Sequence, residues 1–563
     1  MRSIIILASL TLTSSHGTNL LLPNHIFSCD CIPWSSNSSS GDMFDVGDDD
    51  LEKFGSMCAL PSKAIIPDPT AAEYTIYDGY CLCDPTSPTS SSWYSWCTPP
   101  STFPSQINLS PINVSAVVVN FVLADEGKSA GDASAVPICE IKETDDDTDT
   151  ITYTGFSTSY SDSTSSRTLS YHNVILPNLS PRTSYTYRVS VPGHSNSSEW
   201  TQFKSLYSTG PTNVAMYADM GLFGELDSTN VINLPRHNMG NVLSDLSNNE
   251  IDFIVHSGDH AYEFEVAGGQ RGDGYMDAYS DVLTKAPWLP GWGNHEYLEM
   301  DRGNRLANIT GGLIEGMRQS NEMVNRMQYS IDIGLIHIVQ LDMSPYWCNF
   351  DGCETVDSCG FPDMWTSKSG TDEESYDFES YRNGLIEFLK EDLEGVDRTK
   401  TPWVVVSTHF PFYDYSGDAV KDERSLEPDL GATGKHVPKS TADELVPSKN
   451  LAIADIEPLL KEHGVDIYFC GHAHNYQSTW PMYNNTIVQE NFLNPQAPIH
   501  VLSGAAGVPE WEELAETKPE WGREGFAVAS YSRVKMPNAT HLFFEQVGND
   551  DGKILDEWVI VKE

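Results

Sequence analysis

From residue 213 onward, five segments repeat one pattern: an apolar run that ends in side chains able to hold a metal ion. They are Asn213-Val-Ala-Met-Tyr-Ala-Asp219-Met-Gly221, Phe253-Ile-Val-His-Ser-Gly258-Asp259-His-Ala-Tyr262, Trp292-Gly293-Asn294-His295-Glu296, Val404-Val-Val-Ser-Thr-His409 and Asp466-Ile-Tyr-Phe-Cys-Gly471-His472-Ala-His474. Short apolar, β-branched runs read as buried strands, and in open α/β sheets the loops at the carboxyl ends of strands meet in one crevice. Alone, an Asp after a strand is more often a cap or turn residue, and a His on an apolar strand more often a hydrogen-bonded core residue. Five such endings in succession make a shared metal site the simpler reading.

The rest of the chain sorts by texture. Residues 209–563 alternate apolar strands with helical stretches, as in α/β layering. Within them Leu385, Leu389 and Leu393 share one helix face and Gly395 is placed to end it. Residues 105–208 instead carry short runs such as Ala116-Val-Val-Val-Asn-Phe121, Tyr171-His-Asn-Val-Ile-Leu176 and Tyr185-Thr-Tyr-Arg-Val-Ser-Val191. Such runs, broken by Pro, Ser and Asn, predict a β-sandwich, and the stretches from Leu179 and from Glu199 resemble the second half of a fibronectin type III domain. Residues 18–104 are rich in Ser, Asp, Pro and Cys, the texture of a small disulfide-stapled module or a loosely ordered leader. Cys348 to Asp377, with Cys353 and Cys359, reads as a polar surface excursion with one disulfide and one odd thiol.

Met1-Arg2, an apolar run from Ile4 to Leu12 and small residues to Gly17 form the layout of a signal peptide over 1–17, which predicts a secreted, extracellular protein. Sequons begin at Asn37, Asn108, Asn113, Asn178, Asn196, Asn308, Asn484 and Asn538, so N-linked glycans are expected. Cys29, Cys31, Cys58, Cys81, Cys83 and Cys97 cluster as expected of local disulfides outside the cytosol, with the pairing open. No later stretch could span a membrane. A net charge of -47, from 33 basic and 80 acidic residues, argues against nucleic acid or an anionic membrane as partner.

The order and spacing of the five motifs resemble the purple acid phosphatase branch of the metallophosphoesterases. Asp219-Met-Gly221, where other metallophosphoesterases typically carry Asp-x-His, and Tyr262 after Asp259 mark the branch; Gly504-Ala-Ala-Gly507 and Glu391 to Trp403 also fit. The resemblance implies an α/β metallophosphoesterase sandwich, β-sheets flanked by helices, preceded by the fibronectin type III-like sandwich and the Cys-rich segment. It implies that Asp219, Asp259, Tyr262 and His474 hold one metal, and that Asp259, Asn294, His409 and His472 hold the other. A phenolate with two carboxylates suits Fe(III), and two imidazoles with an amide oxygen suit divalent Zn, Mn or Fe. The implied reaction is hydrolysis of phosphomonoesters by a metal-activated hydroxide, with His295 as the residue that contacts phosphate or protonates the leaving group and Glu296 orienting it. The same metals would serve a secreted phosphodiesterase or nucleotide pyrophosphatase, and a non-catalytic surface-binding protein could keep the fold. One departure stands out. Plant members carry further histidines after the His409-type ligand, whereas here Phe410-Pro-Phe-Tyr413-Asp414-Tyr415-Ser416 follows and the next histidine is His436. Tyr413 and Tyr415 are expected to pack rather than to replace those contacts.

Overall fold

The computed structural model describes residues 104–124, 136–144, 150–161, 168–221, 238–262, 270–296, 328–347, 378–417, 449–508 and 512–563, with Phe264, Leu306, Ile309 and short strands at 56–59, 64–66, 75–77, 80–83, 225–226 and 232–233. The signal-peptide reading, the 348–377 excursion and the sequons at Asn37 and Asn308 lie outside the described residues. So do the side chains of the Cys-rich segment, though its backbone pairs Ser56–Ala59 with Tyr80–Cys83 and sets Cys58 opposite Cys81.

The first all-β unit holds eight strands: β1 (Ser105–Asn113), β2 (Ala116–Ala124), β3 (Ile138–Glu143), β4 (Ile151–Thr154), β5 (Phe156–Ser161), β6 (Thr168–Leu176), β7 (Ser184–Ser190) and β8 (Thr201–Lys204). They form two four-stranded sheets, ordered β1-β2-β6-β5 and β8-β7-β3-β4. Inward residues such as Leu109, Val119, Phe121, Val174, Tyr187 and Val189 close the core between them, which is the alternation expected of a sandwich. The Tyr185 hydroxyl accepts from the Ser180 backbone N–H at 2.9 Å, the tyrosine corner of such domains.

The outer face of β1 and β2 docks on the next unit. Gln106 donates from its side chain to Asp273 at 2.8 Å, the Trp288 indole donates to Asn108 at 3.3 Å, and Asn120 donates to the same Asn108 oxygen at 2.9 Å. Asn108 is 1% exposed, so this sequon sits inside the junction, where a glycan has no room.

In the second unit two sheets face each other. One contains β9 (Thr212–Tyr217), β10 (Phe253–His256), β11 (Trp288–Pro290), β19 (Ser530–Met536), β20 (His541–Gly548) and β21 (Ile554–Val561), ordered β11-β10-β9-β19-β20-β21. The other contains β12 (Tyr329–Ile333), β13 (Ile336–Gln340), β14 (Trp403–Ser407), β15 (Ile467–Cys470), β16 (Tyr476–Thr479), β17 (Ile499–Ser503) and β18 (Gly522–Phe526), ordered β12-β13-β14-β15-β17-β16-β18. Val214, Met216, Phe253 and Val255 from the first sheet meet Ile338, Val405, Ile467, Phe469 and Val501 from the second. Helices α1 (Met239–Ser247) and α2 (Gln270–Leu283) cover the outer face of the six-stranded sheet. The other outer face carries α3 (Ser344–Trp347), α4 (Phe378–Gly395) and α5 (Lys449–Glu462). Because both faces of the central strands are buried, their sequences read as continuous apolar runs. Leu385, Leu389 and Leu393 form the buried stripe of α4, which ends at Gly395; each contributes about 2 kcal/mol of burial. Strands β9, β10 and β11 run parallel, as do β13, β14, β15 and β17, so their carboxyl ends open at one rim. No helix among the described residues is long and apolar enough to cross a membrane.

Candidate metal centre

Each sequence-predicted donor leaves one of those parallel strands. Asp219 follows β9, Asp259 and Tyr262 follow β10, Asn294 opens a single 3-10 turn (Asn294–Glu296) after β11, His409 follows β14, and His472 and His474 follow β15. The structure brings all seven together. The Tyr262 hydroxyl lies 3.1 Å from Asp219 Oδ1 and 2.8 Å from His474 Nε2, and His474 Nε2 is 3.6 Å from Asp219 Oδ1. In a second group, Asn294 Oδ1 lies 3.1 Å from His409 Nε2 and 3.0 Å from His472 Nδ1, and His409 Nε2 is 3.1 Å from Asp259 Oδ2. Asp259, His409 and His472 satisfy the spacing for one shared ion.

The donor set fits two cations. Donors about 2.1 Å from a common ion stand about 3–3.5 Å apart between right-angled and tetrahedral geometry, and the edges of the two groups run from 2.8 to 3.6 Å. His409 Nδ1 lies 3.0 Å from the Ser257 carbonyl; with the proton held there, Nε2 presents its lone pair to the site, the usual arrangement of a ligating imidazole.

Backbone and packing are bent to this purpose. Asp219, Asp259, Tyr262 and His472 all adopt left-handed backbone, with φ of 59°, 51°, 52° and 76°. Such conformations cost about 1–3 kcal/mol each and gather at functional sites. Glycines let the loops close on the carboxylates: a Cβ at Gly471 would sit 2.3 Å from Asp219 Oδ2, one at Gly504 2.8 Å from the same oxygen, and one at Gly293 2.1 Å from Asp259 Oδ1. Gly221, at φ 50°, would place a Cβ 3.3 Å from the Tyr262 ring, so the Asp-x-Gly spacing makes room for the phenol.

Side-chain charges alone leave the site unbalanced. Burial pushes the Tyr262 phenol up, and Asp219 and Asp259 push it the same way. Burial raises Asp219, with Asp259 adding and His409 opposing. Burial would raise Asp259 too, but His409, His295 and His472 hold it well below the usual carboxylate range. His409 is lowered by burial, yet Asp259 and Asp219 carry it up to about 9. His472 is pushed down to about 3 by burial and then by His409. A cation beside Tyr262 and Asp219 would oppose the upward pull on both and add to the downward pull on Asp259.

His295 stands at the rim with its side chain 13% exposed, Nε2 3.9 Å from Asp259 Oδ2 and its ring 4.4 Å from that of Tyr262. Glu296 does not reach the His295 imidazole: its oxygens accept the backbone N–H groups of Asp259, His260 and Gly293. His256 and His260, given no role from sequence, lie buried beneath Asp259 with ring centroids 3.9 Å apart. Tyr413 and Tyr415 pack, as expected. Tyr413 donates to Glu457 and accepts from Asn485, while Tyr415 lies edge-on to Trp521. The glycine contacts went unread at the sequence level; the recurrence of Gly beside Asp259, Asn294 and His472 and in Gly504-Ala-Ala-Gly507 was the available signal.

Known proteins give the same picture. The calcineurin-like phosphoesterase model matches residues 218–476, the purple acid phosphatase N-terminal domain matches 104–205, and the iron/zinc purple acid phosphatase-like protein C matches 497–557. The chain belongs to the purple acid phosphatase family. Its members use a binuclear metal centre. Relatives include acid phosphatase type 7 of Danio rerio, 26% identical with 70% of this chain and 79% of that protein covered. Acid phosphatase type 7 of Mus musculus is 27% identical, with 70% and 78% covered. A relative from Arabidopsis thaliana, 24% identical over 70% of this chain and 58% of its own length, is named probable inactive purple acid phosphatase 1. Among solved structures, purple acid phosphatase PPD1 from yellow lupin (Lupinus luteus) seeds shares the fold, with a TM-score of 0.59, 20% identity, and 84% of this chain and 76% of that chain covered.

Proposed function

We propose that this chain is a secreted acid phosphatase that hydrolyses phosphomonoesters at a binuclear centre of Fe(III) beside a divalent Zn, Mn or Fe ion. The observation that carries this reading is the pair of adjoining donor groups, Asp219–Tyr262–His474 with edges of 2.8, 3.1 and 3.6 Å and Asp259–Asn294–His409–His472 with edges of 3.0 and 3.1 Å, which approach each other where His409 Nε2 lies 3.9 Å from Asp219 Oδ1. Asp219, Asp259, Tyr262 and His474 would hold the iron, the hard anionic oxygens matching a trivalent ion. Asp259, Asn294, His409 and His472 would hold the divalent ion. When bound, the ions supply the Lewis acidity that makes water nucleophilic below neutral pH and offsets phosphoryl charge.

The chain's own residues do the rest. His295, at the rim and within reach of Asp259, is placed to contact a phosphoryl oxygen and to hand its proton to the departing alkoxide. His409 keeps its Nδ1 proton on the Ser257 carbonyl. The backbone N–H of His472 donates to Asp219 Oδ2 at 2.8 Å, which fixes that carboxylate. Secretion is supported by the layout of residues 1–17 and by sequons at Asn113, Asn178, Asn196, Asn484 and Asn538, all of which lie exposed.

The test is turnover of p-nitrophenyl phosphate against bis(p-nitrophenyl) phosphate by protein secreted from its expression host, with metal analysis and a visible spectrum. Monoester preference with near-stoichiometric iron is the expected result. Diester preference would move the assignment to a phosphodiesterase or pyrophosphatase. Absent turnover with both metals bound would favour the non-catalytic, surface-binding reading; one relative is itself named probable inactive.

A further inference from the structure

Among the described residues no Lys or Arg forms an ion pair with the Glu296 carboxylate. It is 3% exposed, and its partners are three backbone N–H groups: Asp259 at 2.8 Å and Gly293 at 2.8 Å on Oε2, and His260 at 2.9 Å on Oε1. Burying an unpaired carboxylate costs several kcal/mol, offset here by three charge-assisted hydrogen bonds. An apolar residue in the same space would leave these three buried N–H groups without an acceptor, at the full desolvation cost of each, so the carboxylate is the group that lets the two loops close on each other.

The donors come from two loops, the one that carries Asp259 and the one that carries Asn294 and His295. The bond is returned across the same seam: the His295 backbone N–H donates to Asp259 Oδ1 at 3.0 Å. The loops approach backbone to backbone, since a Cβ at Gly258 would lie 2.6 Å from Gly293 N, and one at Gly293 would lie 2.8 Å from Asp259 N. Left-handed Asp259 therefore has its N–H held by Glu296 and its carboxylate held by His295 N.

We infer that Glu296 is a positioning residue that sets the separation of Asp259 from Asn294 and His295, and so preorganises the divalent-ion ligands and the phosphate-facing imidazole as one unit. This rests on the binuclear reading above. It reaches the metal through main-chain N–H groups, not through the His295 ring. Of the iron-side ligands, Asp219, Tyr262 and His474 share no bond with Glu296; Asp259 is common to both groups, so the iron keeps three ligands that a change at Glu296 does not touch.

The test compares wild type with Glu296→Gln in the full chain. Glutamine offers one acceptor oxygen to three converging N–H groups and turns its own NH2 toward at least one of them. Expected are a 10- to 100-fold weaker hold on the divalent ion during chelator dialysis, retention of iron and of the visible band, and a kcat for p-nitrophenyl phosphate lowered more than KM at saturating divalent metal. Wild-type metal retention and kcat in a folded variant would overturn the inference. Should the variant not fold, amide hydrogen exchange in the wild type decides. The Asp259, His260 and Gly293 amides are expected to stay protected after the divalent ion is chelated, and exchange at open-loop rates would overturn the inference. A wild type that binds no metal pair would instead remove the reading on which it rests, while leaving those amides protected.

Discussion

Gly471→Ala gives the most direct test of how tightly the metal loops are closed. The glycine does not lie in the left-handed region, so alanine is conformationally allowed there. With space available, the exchange would stabilise the fold by about 0.4–1 kcal/mol through the unfolded chain. Space is not available: the new Cβ would lie 2.3 Å from Ala218 Cβ and 2.3 Å from Asp219 Oδ2, where ordinary contact is about 3.5–4.0 Å. One strand end must yield by about 1 Å. Overpacking of this kind costs about 1–3 kcal/mol, so the net sign reverses. Displacing Asp219 by that distance also spoils donor edges near 3 Å, for which a loss of about 100-fold in kcat is expected. Gly240→Ala is the control: it lies in α1 with nothing within 4 Å of the added Cβ, and should gain about 1 kcal/mol. Denaturant unfolding, iron content and steady-state kinetics of both variants are the assay. Gly471→Ala with unchanged or greater stability and full iron would refute the steric argument.

Tyr262→Phe should abolish any tyrosinate colour while the far-ultraviolet circular dichroism persists; a coloured variant would remove the phenol from the site. His337 is held by Asp332 at 2.7 Å and Asp392 at 2.8 Å. Burial opposes its charge, but the two carboxylates raise it to about 9. Because the folded value exceeds the ordinary one, its contribution is full below about pH 6.5 and is lost as pH rises through about 9. After discounting the exposed Asp332, this amounts to about 2 kcal/mol. His337→Gln should flatten that alkaline fall in a urea-denaturation pH series, and an unchanged profile would contradict it. Glycopeptide mass spectrometry of secreted protein should find Asn113, Asn178, Asn196, Asn484 and Asn538 occupied and Asn108 bare. A glycan on Asn108 in folded, active protein would contradict its placement in the domain junction.

The five motifs could be read because ligand chemistry and strand endings are local: each donor stands within a few residues of its own apolar run. The same holds for the leucine stripe of α4 and for the alternation that announces β1 to β8. What lay beyond reading arises between distant residues. That Gly504 stands against Asp219 depends on the end of β17 meeting the end of β9 across the two sheets, where the Ala218 N–H donates to the Ser503 carbonyl at 3.1 Å, which no periodicity reports. The role of Glu296 was misplaced because sequence adjacency to His295 suggested a side-chain contact, whereas the carboxylate turns to main-chain groups of the neighbouring loop. Asn108 carries a sequon by pattern alone, while its position in β1, facing Asn120 and Trp288, decides its fate.

The pairing of Thr212 with Met536 and of Val214 with Val534 sets the first strand of the six-stranded sheet beside a strand near the carboxyl terminus. During biosynthesis the amino-terminal sandwich can close early, since its contacts are complete by Lys204. The catalytic sheet cannot: until β19 leaves the ribosome, β9 has an open apolar edge and Asp219 lacks its final support. Metal uptake at the proposed centre would therefore come late in the life of this molecule, and premature stops before Ser530 would yield a chain that exposes sticky strand edges to its neighbours rather than a weakened enzyme.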